Sequence, residues 1–129
     1  MAEQSAAAAE LIAFLRARLD EDERDARLAA TSPHGRRWWW HGPGQRVKSA
    51  EPRDDVARVD PLVGPHIARH DPGRALEAVE AQRRLLAQTI EPYAAAPGFG
   101  GAGDLAWLQL RLLALPYADH SDYREEWRP

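Results

Sequence analysis

Two imidazoles four positions apart, His66 and His70, are the residues of this chain best spaced for chemistry. On a helix that spacing puts both rings on one face, where two nitrogens can reach a single zinc or other divalent ion. Asp71 follows directly, and Asp119 with His120 could complete the set if the C-terminal segment folds back. A small metal-dependent, hydrolase-like enzyme would then use His66, His70 and His120, with Asp119 or Asp71 as ligand or base. The same residues also have structural explanations. His70 falls at a helix C-terminus, where the macrodipole favours a cation and the last carbonyls need donors. Asp71 stands before Pro72, the spacing of an N-cap followed by proline at the first helical position. A His-x-x-x-His pair without a third fixed ligand is common by chance. The structural reading is preferred: no catalytic residue, no cofactor and no metal, with the divalent-ion site as the alternative.

Other constellations are weaker. Glu77 with Glu80, and Asp119 with Asp122, are carboxylates three apart. Acid–base work would need them partly buried and close together. Exposed faces with arginines such as Arg74, Arg84 and Arg124 as counterions explain them better. Gly98-x-Gly100-x-x-Gly103 matches a dinucleotide fingerprint in letters only. No strand precedes it, and Asp104 at the following helix end would repel a phosphate. Arg36-Arg37-Trp38-Trp39-Trp40 places cations beside aromatics, the ingredients of single-strand nucleic-acid stacking. In a strand, however, Trp39 would face one way and Trp38 and Trp40 the other. One face should then bury against helices while the other serves a partner. The serines lack a nucleophile-elbow motif. There are no cysteines, which excludes disulfides, thiolate metal sites and a cysteine nucleophile.

The C-terminal segment carries the strongest interaction signal. Tyr117, Tyr123 and Trp127 are interleaved with Asp119, His120, Arg124, Glu125 and Glu126. A free terminus has no use for such aromatics, since unanchored tails fray. They should pin the tail to the domain or to a partner. Together with Trp39 they form the candidate partner-binding set.

These residues must be positioned by a mostly helical frame. Gln4–Ala30 reads as one long helix with Ser5 as cap and Leu11, Phe14, Leu15, Arg18 and Leu19 as its buried stripe. Thr31-Ser32-Pro33-His34-Gly35 ends it. Trp38–Trp40, Gln45–Lys48 and Val56–Val59 are short strands around a His41-Gly42-Pro43-Gly44 turn. A short helix follows from Gly64 to His70. The next runs from Pro72 to about Ile90, with Leu76, Val79, Arg83, Leu86 and Ile90 inward, Leu85 widening the stripe, and Pro92 as the stop. Residues 94–103 read as a loop. Asp104 then caps the last long helix, with Leu105, Leu108, Leu112 and Leu115 on one face; Trp107 and Leu110 make it apolar on more than one side, which marks it as the central helix. Pro116 breaks it.

Composition sets the outer bounds. At 129 residues, 44% hydrophobic and 29% charged, the chain suits one globular domain. A net charge of −3 makes nucleic-acid binding by overall field unfavourable. No uncharged apolar run is long enough to span a membrane. Met1–Ala9 lacks a basic start and Glu10 interrupts the apolar run, so no secretory signal is read and a cytoplasmic location is expected.

Two segments resemble a family of small actinobacterial proteins of unknown function. One is His66-Ile67-Ala68-Arg69-His70-Asp71-Pro72-Gly73-Arg74, running into Glu80-Ala81-Gln82-Arg83-Arg84. The other is Leu112-Leu113-Ala114-Leu115-Pro116-Tyr117-Ala118-Asp119-His120 with Asp122-Tyr123-Arg124-Glu125-Glu126-Trp127. The opening Phe14–Glu23 fits too, and Thr31–Trp38 is a loose version of the family's threonine-proline turn before a tryptophan. The resemblance implies an actinobacterial or phage-associated source and brings no activity or catalytic residue with it. Some members carry cysteines near the loop before the last helix, which this chain lacks.

The expected architecture is α+β and mainly helical: three long helices with a small antiparallel sheet inserted after the first. Residues 1–129 form one domain, divided into an N-terminal helix (1–30), a sheet or irregular insert (36–63), a helical core (64–116) and an aromatic, charged tail (117–129). The leading function is a non-catalytic interaction or regulatory module acting on a protein partner or as a homo-oligomer. The metal-dependent enzyme and nucleic-acid binding through Arg36–Trp40 are the alternatives.

Overall fold

The computed structural model describes residues 2–50, 54–94 and 101–129. Helix α1 spans Ala2–Thr31. It starts before Ser5, so Ser5 is an interior residue and not the expected cap. Its inner stripe is as read: Leu11, Phe14, Leu15, Arg18 and Leu19 are all buried. Leu28, near the C-terminal end of the helix, is exposed. The helix ends where Thr31 Oγ1 and Ser32 Oγ donate to the carbonyls of Leu28 and Ala29. These hydroxyls satisfy acceptors that the next helical turn would otherwise have used. Gly35 then adopts a φ of 68°, a left-handed conformation that costs glycine nothing.

Strands β1 (Trp38–His41), β2 (Arg46–Ser49) and β3 (Asp55–Arg58) form an antiparallel sheet in that order. Trp39 pairs with Lys48 and Trp40 with Val47 in the register. Alternation sends Val47 and Ser49 inward, where both are fully buried. Helix α2 (Gly64–Arg69) packs against this sheet, and Gly64 lies directly beneath the Trp40 indole.

Helix α3 (Pro72–Leu85) starts from Asp71, whose carboxylate accepts the Arg74 backbone N–H at 2.8 Å. This is the N-cap expected there. Leu86 and Ile90 are buried and Leu76 half-buried along the predicted stripe, but Leu85 is exposed. Pro92 does not stop the helix. Leu86–Ile90 form a π turn, closed by the Glu91 N–H on the Leu86 carbonyl, and α4 (Glu91–Ala94) continues with Pro92 inside it. Proline cannot donate to the carbonyl four residues back and its ring crowds that oxygen. One widened turn accommodates both problems without ending the helix. Thr89 Oγ1 helps by donating to the Leu85 carbonyl at 2.6 Å.

Helix α5 spans Ala102–Ala114, and Leu115–Tyr117 extend it as a 3-10 turn. Gly101 is its N-cap residue and no side chain caps it, so Asp104 belongs to the first turn instead. There the carboxylate still complements the positive end of the helix dipole. Most of the expected 94–103 loop lies outside the described residues. A last 3-10 turn, Glu125–Trp127, ends the tail. In outline the chain is mainly helical with a small inserted sheet, as read; short α2 is a helix beyond the three long ones.

The chain gathers into two compact units, Met1–Asp20 with Ala81–Pro129, and Glu21–Glu80. The first holds the main apolar cluster: Ala8, Leu11, Phe14 and Leu15 with Leu86, Ile90, Ala106, Leu110, Ala114 and Trp127.

Candidate functional site

The His66 and His70 rings do share a face, with centroids 4.3 Å apart. His70 Nδ1 lies 2.8 Å from the His66 carbonyl oxygen, so Nδ1–H donates there and closes the end of α2. Both rings are exposed. Asp71 is buried and already engaged on three sides. Its Oδ2 accepts the Trp38 N–H at 3.1 Å, its Oδ1 accepts the Arg74 N–H, and the Arg37 guanidinium lies 3.8 Å away. Asp71 therefore ties the start of β1 to the start of α3. Arg37 also pairs with Glu77 at 2.5 Å, and that hydrogen bond raises its already high pKa. Glu77 is thus neutralised by Arg37.

Asp119 is exposed, whereas His120 lies against Phe14 in the first unit. Its Nδ1 accepts the Asp122 backbone N–H at 3.0 Å and faces Arg18 Nη1 at 2.9 Å. A backbone amide can only donate, so Nδ1 carries the lone pair and the ring proton sits on Nε2. Asp122 Oδ2 is 4.0 Å from the buried Arg18, and Arg18 stacks on Phe14. Among the described residues, no group of three or more His, Cys, Asp or Glu gathers in a metal-holding arrangement.

The tail aromatics close over the same cluster. Trp127 is 3% exposed and lies 5.1 Å from Phe14, with Tyr123 and Tyr117 edge-on to that ring. Arg111 secures the tail by donating to the carbonyls of Trp127 and Arg128. Trp39, the fourth residue of the set, is exposed beside His41 on the outer sheet face. Arg46 and Lys48 share that face by register, and both pair with Asp55. The carboxylate offsets much of the positive charge that a nucleic-acid strand would need. Of the Gly98–Gly103 motif, Gly98 and Gly100 lie outside the described residues, and Gly103 is in α5.

A surface groove of about 260 Å³ runs along Arg16, Asp20, Arg83, Leu86, Ala87 and Glu91. Its charges already answer each other, Arg16 with Glu91 and Asp20 with Arg83.

The largest departure from the sequence reading is on α5. Leu105, Leu108, Leu112 and Leu115 do lie on one face, but that face is open, at 57, 41, 50 and 36% exposure. The buried face is Ala106, Leu110 and Ala114. Alanines were the overlooked signal: they let neighbouring backbone come close, and α5 packs most closely on α4. A stripe of four leucines left in water is unusual for a face with no partner, because contiguous exposed apolar patches mark interaction sites. No other residues of the chain combine this exposure, spacing and chemical uniformity among the described positions.

No helix among the described residues is long and apolar enough to cross a membrane. No curated protein and no solved structure matches the chain significantly. A family does match it, over residues 8–129, which takes in most of α1, the sheet, the α5 stripe and the aromatic tail. The chain belongs to the Family of unknown function (DUF6221).

Proposed function

We propose that this protein is a protein-interaction module that docks an amphipathic helix of a protein partner along the open leucine face of α5. The observation that carries the reading is the stripe itself, four leucines exposed in register on one helix. Helix-in-groove recognition reads anchors at this kind of spacing. The face is flanked by one acid and one base, Asp104 and Arg111, and lacks the Lys/Arg-rich border of a membrane-lying helix. The actinobacterial source implied by the His66–Arg74 and Leu112–Trp127 resemblance belongs to the same reading. Its support is those two segments.

The test compares immobilised wild-type protein with the Leu108→Glu/Leu112→Glu variant as baits in a source lysate. Proteins held by the wild type should be lost from the variant while its melting temperature stays unchanged. If both baits retain the same proteins, the face is not the docking site.

A further inference from the structure

We propose that the outer face of the three-stranded sheet binds single-stranded nucleic acid, with a base stacked on Trp39 and the flanking phosphates held by Arg46, Lys48 and Arg58. This surface lies within the Glu21–Glu80 unit and does not depend on the α5 reading. Residues directly opposite each other in an antiparallel ladder share a face. The register therefore sets out two rows: His41, Arg46 and Arg58 in one, and Trp39, Lys48 and Asp55 in the other. About 6.8 Å of strand rise separates the rows. The opposite face is the buried one, with Val47, Ser49 and the Trp40 ring turned toward α2.

The first row carries the argument. Arg46 stands directly opposite Arg58, and like charges at such a pair destabilise a sheet. Asp55 answers Arg46 and Lys48. Arg58 is exposed and has no acidic partner among the described residues. Three cations less one carboxylate leave two positive charges here, on a chain whose net charge is −3. Folding gains nothing from that concentration, and an anion bridging the row would offset its cost.

Trp39 distinguishes a nucleic acid from a simple anion, because the indole is 43% exposed beside these cations. His41 meets it edge-on, with ring centroids 5.5 Å apart, which positions the indole without an imidazole lying flat over it. The His41 ring also carries at least one N–H donor in either tautomer. Bases stack on exposed aromatic rings with little regard to sequence, while neighbouring cations follow the backbone. Of the Arg36–Trp40 stretch only Trp39 takes part. Arg37 is held by Glu77 and Asp71, and Trp38 and Trp40 share the inner face.

The platform is small, so binding should be weak, with a dissociation constant on the order of 100 μM. Two net charges predict a salt slope of about −1.4 for a single strand. Affinity should then fall roughly sevenfold between 50 and 200 mM salt.

Fluorescence anisotropy of a labelled oligothymidylate of about eight nucleotides, titrated with the full chain to about 1 mM, tests the proposal. Trp39→Ala should weaken binding at least about fivefold. Arg58→Gln should weaken it severalfold and flatten the salt slope to about −0.7. Asp55→Asn should tighten binding and steepen the slope to about −2.1, a gain that loss of fold would not produce. No anisotropy change in 50 mM salt at the highest protein concentration would overturn the proposal, as would binding that Trp39→Ala leaves unaltered. Equal affinity for the matching duplex would overturn single-strand stacking. Tighter binding of labelled polyglutamate than of the oligonucleotide would overturn the choice of ligand and assign the face to an acidic protein segment.

Discussion

In the unit formed by Glu21–Glu80, the bulky Trp40 is housed by a glycine, because Gly64 offers no side chain where the indole lies. In the unit formed by Met1–Asp20 and Ala81–Pro129, α5 instead buries its alanines and turns four leucines to solvent. Both units use small residues to set where backbones meet. The difference is what happens to the large ones. The sheet unit covers Val47 completely and half-covers Trp38 and Trp40, leaving Trp39 as its exposed ring. The helical unit fills its core from α1, the π turn, the tail and the alanine face of α5, and leaves the α5 leucines 36–57% exposed. Leucine content alone therefore does not locate a core; the residue that permits close approach does.

The sharpest way to break this comparison is to truncate one residue from each side of α5's balance. Leu110→Ala should cost about 2–5 kcal/mol, since the side chain is fully buried and a cavity remains. Trp127→Ala should cost about 3–5 kcal/mol by the same mechanism. Leu112→Ala, at a half-exposed position, should stay within about 0.5 kcal/mol in dilute solution. Urea unfolding at low micromolar protein measures all three. Equal losses for Leu110 and Leu112 would mean that the assignment of faces is wrong.

Next in size is the glycine of the sheet unit. A Cβ at Gly64 would lie within the Trp40 ring, which has no flexible end to swing aside. Gly64→Ala should therefore cost about 1–3 kcal/mol through overpacking, despite the better helix propensity of alanine. Amide exchange across β1 and β2 reports the loss directly. Unchanged protection there would remove the glycine from the account of how Trp40 is held.

Where periodicity and charge agreed, the sequence was a good guide. The α1 stripe has charges on every other side, and Asp71-Pro72 is a capping pattern whose meaning is local. On α5 both faces are apolar, so hydrophobicity favoured the leucines and missed Ala106 and Ala114. Pro92 was read by the rule for a regular helix, and the π turn that relaxes the rule leaves no letter pattern. The second role of Asp71, accepting the Trp38 N–H, joins residues 33 apart; the Arg18–His120 contact joins residues 102 apart. Such contacts depend on tertiary placement, which spacing along the chain does not encode. The histidine pair shows the same limit. Its adjacency was legible, but the use of His70 Nδ1 on the His66 carbonyl needed coordinates.

The smallest effect belongs to the outer sheet face, where Asp55 pairs with Arg46 and lies 3.5 Å from Lys48. The Arg46 hydrogen bond is the main reason that the Asp55 carboxyl ionises below its ordinary range, and the charges of Arg46 and Lys48 act in the same direction. A folded-state pKa below the unfolded one means that the pair's stabilisation is present above the ordinary carboxylate range. It is lost as pH falls through the depressed folded value. Both partners are substantially exposed, so the gain is small and screened by salt. Carboxyl-detected NMR titration should place the Asp55 midpoint below that of an unpaired aspartate, and Arg46→Gln should move it back up. The stability difference between wild type and Arg46→Gln should shrink as the pH falls through the Asp55 midpoint. A midpoint unmoved by Arg46→Gln would mean that Asp55 does not neutralise Arg46 in solution. The sheet face would then be more cationic around Trp39, and its contrast with the uncharged leucine face of α5 would widen.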